Sequence, residues 1–233
     1  MKKRLLLAIL AFLLLLPLSS CAAKERYELL YSIELDGVTY CVRGSGTRAK
    51  QVVVKRGEEI VWAKTEKAAK KIGSQNGTYG FQAADFNFDG YVDLALATEI
   101  EGNVLYSTCW LYNPEKQTYE KSKELSSLGN LRADHELEAL FSFAESVSIT
   151  KAPSPDFPSI TVSTDSVTKR VWEDGVLVPK TRVSMIYYSE TDRYCYRVEY
   201  YNAAAAAFEI DQEKWLTKDE YLEIDWSFLY YFK

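Results

Sequence analysis

Short apolar runs separated by turn dipeptides recur along most of this chain, and their spacing predicts strands joined as hairpins. Tyr27 to Glu34 and Val38 to Arg43 flank Asp36-Gly37, a pair suited to the positive φ of a tight turn. Lys50 to Lys55 and Glu58 to Lys64 flank Arg56-Gly57 in the same way. Val104 to Tyr112 and Thr118 to Lys123 are closed by Asn113-Pro114-Glu115-Lys116. Val167 to Trp172 and Val176 to Lys180 meet across Glu173-Asp174-Gly175. Val183 to Tyr188 and Arg193 to Tyr201 pair across Ser189-Glu190-Thr191-Asp192. Leu137, Ala139, Phe141 and Phe143 alternate with Glu136, Glu138 and Ser142, the pattern of a strand with one wet face. The Lys-rich Thr65 to Ile72 reads as a short helix, and Gly73 to Gly77 as loop. Thr217 followed by Glu220 fits a capping box and predicts a helix over Lys218 to Ile224. Ala203 to Ala207 is compatible with either a helix start or a strand. Lys151 to Pro158 carries three prolines and marks a connector or an edge. The expectation is a mainly β fold of antiparallel hairpins with one or two short helices.

The first residues follow another rule. Lys2, Lys3 and Arg4 precede an uninterrupted apolar run from Leu5 to Leu16. Twelve helical residues span about 18 Å, short of the roughly 30 Å of a bilayer core. A signal h-region is the better reading. Leu18-Ser19-Ser20-Cys21 then resembles the lipobox of bacterial lipoproteins, which implies cleavage after residue 20 and lipidation of the Cys21 thiol. The expected plan is a signal peptide over 1–20, a lipidated tether over 21–26 and one β-rich domain over 27–233. A subdivision near 151–158 stays open. Such a protein would sit outside the cytoplasm, held on a bacterial membrane, periplasmic or cell-surface, by the acyl chains on Cys21.

Removing residues 1 to 20 takes three of the 28 basic residues and leaves 25 against 33 acidic ones, a net charge of −8. That balance argues against nucleic acid or an anionic membrane as partner, because phosphate binding needs clustered Lys and Arg. It suits divalent cations or a basic protein. Cys41, Cys109 and Cys195 remain besides Cys21, so one bridge is the maximum. Each lies inside an apolar or aromatic run, which favours three buried free thiols. A single histidine argues against zinc. Gly44-Ser45-Gly46-Thr47 lacks the Lys-Ser/Thr and the helix of a phosphate loop.

One segment carries chemistry: Asp85-Phe86-Asn87-Phe88-Asp89-Gly90-Tyr91-Val92-Asp93. Side-chain oxygens fall at relative positions 1, 3, 5 and 9. Gly90 at position 6 permits a sharp turn, and Tyr91 at position 7 offers its carbonyl. This is the donor order of a calcium loop, so Asp85, Asn87, Asp89, Tyr91 and Asp93 are the expected Ca2+ ligands. Position 12 is Leu96 rather than the bidentate Glu of an EF-hand, so affinity should be modest, roughly 10⁻⁴ to 10⁻³ M. A polar turn that binds nothing is the rival reading.

The loop resembles the calcium loops of integrin-type FG-GAP and related β-propeller blades, where it joins two strands. A wider resemblance covers about Gly80 to Lys180. The lipobox, this loop, the hairpin at Cys109-Trp110-Leu111-Tyr112-Asn113-Pro114 and that at Val171-Trp172-Glu173-Asp174-Gly175 follow the order of one family. That family comprises bacterial periplasmic calcium lipoproteins, including immunity proteins against peptidoglycan hydrolases delivered by rival cells through a type IV secretion system. The resemblance implies a propeller-like or irregular β arrangement and a non-catalytic role in binding, with a secreted hydrolase as one partner. Only the calcium loop carries over residue by residue.

No enzyme pattern competes with this. His135 stands beside Asp134 and Glu136 without a nucleophile elbow. Glu136 and Glu138 have the spacing of one strand face, which a hydrolase pair and any solvated face share. Tyr194, Tyr196, Val198 and Tyr200 share a face that is either core or a platform for carbohydrate or cell-wall binding.

Overall fold

The computed structural model describes residues 27–46, 48–68, 78, 80–150, 160–189 and 191–223. The signal segment 1–20, Cys21, the tether 21–26, the loop 73–77 and the connector 151–158 lie outside the described residues. Within them the fold is mainly β, in three sheets, and within each sheet consecutive strands pair antiparallel. The first sheet holds β1 (Glu28–Leu35), β2 (Val38–Ser45), β3 (Arg48–Arg56) and β4 (Glu59–Thr65). The second holds β5 (Phe81–Ala84), β6 (Asp93–Glu101), β7 (Val104–Asn113) and β8 (Thr118–Ser122). The third is a six-stranded meander of β9 (Arg132–Asp134), β10 (Ala139–Thr150), β11 (Ile160–Glu173), β12 (Val176–Tyr188), β13 (Arg193–Asn202) and β14 (Ala207–Leu216).

The hairpins form where the turn dipeptides stand. Asp36 and Gly37 have φ of 50° and 75°, and Asp174 and Gly175 of 51° and 76°, the consecutive left-handed pair that matches the twist of flanking strands. The Ala203 to Ala206 stretch is the turn between β13 and β14, so the choice left open there falls to neither helix nor strand. The capping box forms as expected. Thr217 N–H donates to Glu220 Oε2 at 2.8 Å, and Glu220 N–H donates to Thr217 Oγ1 at 3.3 Å, opening a helix over Lys218–Glu223.

Two expectations need correction. The strand drawn from Leu137 begins at Ala139 instead. Asp134 accepts the N–H groups of Glu136 and Leu137, an Asx-type turn, and Glu138 closes it at φ 43°. Residues 135–138 therefore lie in a turn, and Leu137 is 55% exposed. The helix expected from Thr65 is absent from its described part. Thr65 ends β4, and Glu66 and Ala68 donate to the carbonyls of Lys50 and Ala49. The helix's remainder, 69–72, lies outside the described residues. Conversely, a short helix α1 (Lys123–Ser126), capped by the Ser122 hydroxyl on Leu125 N–H, was not foreseen; the C-terminal helix is α2.

The second sheet is the middle layer. Phe81, Leu94, Leu96 and Trp110 pack on Tyr40, Val42, Val52 and Val54 of the first sheet. The opposite face, with Ala95 and Cys109, packs on Leu140 of β10, Leu177 of β12, and Phe86, Leu125 and Leu131. A strand covered on both faces needs apolar residues at every position. That is why Leu94-Ala95-Leu96-Ala97 runs without alternation and is wholly buried. The stacked four-stranded meanders are compatible with a propeller-like arrangement. Gly129 ties the second and third sheets: it bridges Tyr106 of β7, and its carbonyl accepts Phe143 N–H of β10 at 2.8 Å. Cys41, Cys109 and Cys195 are buried and unbridged. No helix among the described residues is long and apolar enough to cross a membrane.

Candidate metal loop

The loop joins β5 to β6 and sorts its residues by polarity. Phe86 is fully buried, and Phe88 packs beside it at a left-handed φ of 58°. These two aromatics pin the loop to the core, and Gly90 at φ 88° completes the curl. The polar residues between them turn back on the loop's own backbone. Asp85 accepts Gly90 N–H at 2.7 Å and Asp89 N–H at 3.2 Å. Asp89 accepts Tyr91 N–H at 2.9 Å and the Asn87 amide at 2.8 Å.

Asp93 differs from the other carboxylates. It is 0% exposed and holds two strands, accepting Phe86 N–H and Tyr112 N–H at 2.8 Å each. Burial pushes its carboxyl up to about 7; the two N–H donors oppose that rise, while the nearby negative charges of Asp89 and Asp85 add to it. A third tie comes from far along the chain, where Trp172 Nε1–H donates to the Phe86 carbonyl at 2.8 Å. The loop is thereby braced from β5, β6, β7 and the β11–β12 hairpin.

The structure thus brings Asp85, Asn87 and Asp89 into one hydrogen-bonded turn and puts Asp93 within electrostatic reach of both aspartates. It does not gather them into a finished cage. Among the described residues no group of three or more His, Cys, Asp or Glu side chains is arranged to hold a metal ion. Two features fit a hard cation nonetheless. The donors are oxygens throughout, and Asn87 Oδ1 is buried with no hydrogen-bond partner. Tyr91 is 44% exposed, with its ring 5.4 Å from that of Tyr112.

The other residues singled out from sequence fall elsewhere. His135 is exposed, with its ring edge-on to Phe88 at 5.7 Å. Glu136 and Glu138 stand in the Asx-type turn and not on a strand face, so the paired-carboxylate spacing does not arise. Tyr194 stacks on Tyr221 of α2 at 4.2 Å and 11°, and with Tyr196 it joins the core of the third sheet. Tyr200 is exposed and bonded to Glu209 at 2.6 Å. The sequence assigns no site role to Trp62, Tyr112 and Tyr119, which meet in a row of aromatic rings beside the loop. Strand periodicity marks such residues as half-buried but does not show which strands come together.

Neither a protein-family model nor a curated protein matches the chain. Among solved structures it is similar to one described as "Structure of a Xanthomonas Type IV Secretion System related protein", with 14% identity, 78% of this chain and 92% of that chain covered, and a TM-score of 0.48. A likeness this loose carries no statement about what the present chain does.

Proposed function

We propose that this chain is a lipid-anchored, extracytoplasmic binding module without catalytic chemistry, stabilised by calcium, whose sharpest use is to inhibit a cell-wall hydrolase. The observation that carries the calcium part is the Asp85–Asp93 turn itself, with its oxygen donor order and the unpartnered Asn87 Oδ1. Asp85, Asn87, Asp89, Asp93 and the Tyr91 carbonyl would hold the ion. A bound divalent cation would supply positive charge among three carboxylates that otherwise repel one another. The chain's own residues do the rest: Asp93 fixes β6 to β7, and Trp172 fixes the loop to the third sheet. The inhibitor role is supported by family resemblance and by the −8 charge of the mature chain, which suits a basic enzyme.

Calcium titration followed by thermal unfolding tests the first part. At a dissociation constant of about 1 mM, 10 mM calcium adds about 1.4 kcal/mol, a rise in Tm of roughly 3–6 °C. Asp89→Ala should abolish the rise. An unmoved midpoint in the parent protein rejects calcium. For the second part, the protein should form a complex with a secreted peptidoglycan hydrolase and protect cells from lysis; absence of both ends that reading.

A further inference from the structure

Beside the loop, between the first sheet and the edge of the second, lies a cavity of about 220 Å³. Its wall is a row of aromatic rings from four elements. Trp62 of β4 meets Tyr119 of β8 at 5.0 Å, Tyr119 meets Tyr112 of β7 at 5.1 Å, and Tyr112 meets Tyr91 of the loop at 5.4 Å. Trp62 is braced from behind by the fully buried Trp110, at 5.8 Å. The row is therefore preorganised. Polar groups interrupt it. The hydroxyls of Tyr40 and Tyr119 are hydrogen-bonded, and burial raises both phenols, so they stay neutral. Gln117 and the exposed Arg56 add two more polar groups, and Val38, Val54, Val61 and Val92 complete the lining. Arg56 makes no ion pair among the described residues; Asp36, the acidic group that acts with it on Tyr40, does not line the cavity.

Each feature narrows the ligand. The volume is below the roughly 300 Å³ where drug-sized pockets begin, so it admits a single ring. Arg56 disfavours a cation, although the aromatic faces alone would attract one. A purely apolar ligand would leave the phenol hydroxyls, the Gln117 amide and the guanidinium without new partners. A ring with an apolar face, hydroxyls on its edge and one carboxylate suits this lining: the face lies on the aromatic and valine wall, the hydroxyls reach the phenols and Gln117, and the carboxylate takes the Arg56 fork. We infer that this cavity is a binding site for a pyranose bearing a carboxylate. The inference stands apart from the calcium reading, although Tyr91 belongs to the loop.

The test uses the full chain in detergent micelles, once with calcium and once with excess chelator, and binding in either condition supports the inference, so that its outcome is separate from that of the calcium reading. Glucuronic acid, N-acetylmuramic acid, glucose and choline are titrated, with tryptophan fluorescence and saturation-transfer NMR as readouts. The acidic sugars should bind with a dissociation constant of about 1 mM, as expected of so small a ligand. Glucose should bind about tenfold more weakly. Arg56→Gln should erase that preference, and Tyr91→Ala should weaken every sugar. Both residues are exposed, so the folded state should survive the changes. No saturable binding of either acidic sugar, equal binding of glucose, tighter binding of choline, or binding indifferent to both variants would each overturn the inference.

Discussion

At the scale of single residues, two carboxylates show how placement decides what the same group does. Asp93 accepts two backbone N–H groups while wholly buried. Asp93→Ala strands both donors in the core and should cost about 2–4 kcal/mol in denaturant unfolding, even without calcium. Glu199 of β13 is also buried, but Arg182 of β12 holds it through two bonds of 2.7 and 2.8 Å, and Ser184 adds a third. The Arg182 bonds hold its carboxyl below the ordinary range of about 4.3. With the folded pKa depressed, the unfolded chain takes up its proton first on acidification. The pair's stabilisation is therefore complete above about pH 5 and is lost as pH falls through the depressed value. Glu199→Gln should flatten the acid limb of stability against pH measured by urea unfolding; an unchanged slope would show that the pair contributes nothing.

At the scale of elements, hairpins were legible because a hairpin is local. Strand, turn and returning strand follow one another along the chain, and positive φ at Asp36-Gly37 and Asp174-Gly175 is written in the residue types. The capping box at Thr217 was readable for the same reason. The start of β10 was not. Alternation over Glu136 to Phe143 fits a strand, yet the Asp134 side chain accepts the N–H groups of Glu136 and Leu137 and makes a turn. Gly129 stands between two elements in a way that no local pattern marks. A Cβ there would come within 2.5 Å of the Phe143 carbonyl oxygen and closer still to Val104 Cγ1. Gly129→Ala should destabilise by about 3 kcal/mol and lower Tm by roughly 6–12 °C, measured by thermal unfolding. Its near-absence of effect would mean that the second and third sheets can separate there without cost.

At the scale of the whole molecule, the anchor is expected to decide location and the layering decides chemistry. Cys21→Ser should move the protein from the membrane fraction to the soluble fraction; a variant still held by the membrane would place the anchor elsewhere. The apolar run of the first residues, the donor order from Asp85 to Asp93 and the hairpin punctuation can be read from sequence alone, since each depends on neighbours a few positions away. Tertiary structure alone decided the rest. It buried Asp93 between two strands, carried Trp172 back 86 residues to the Phe86 carbonyl, and gathered Trp62, Tyr91, Tyr112 and Tyr119 around one cavity. Those outcomes depend on which sheet faces stack, and a period of two along a strand says which residues share a face but not what that face meets.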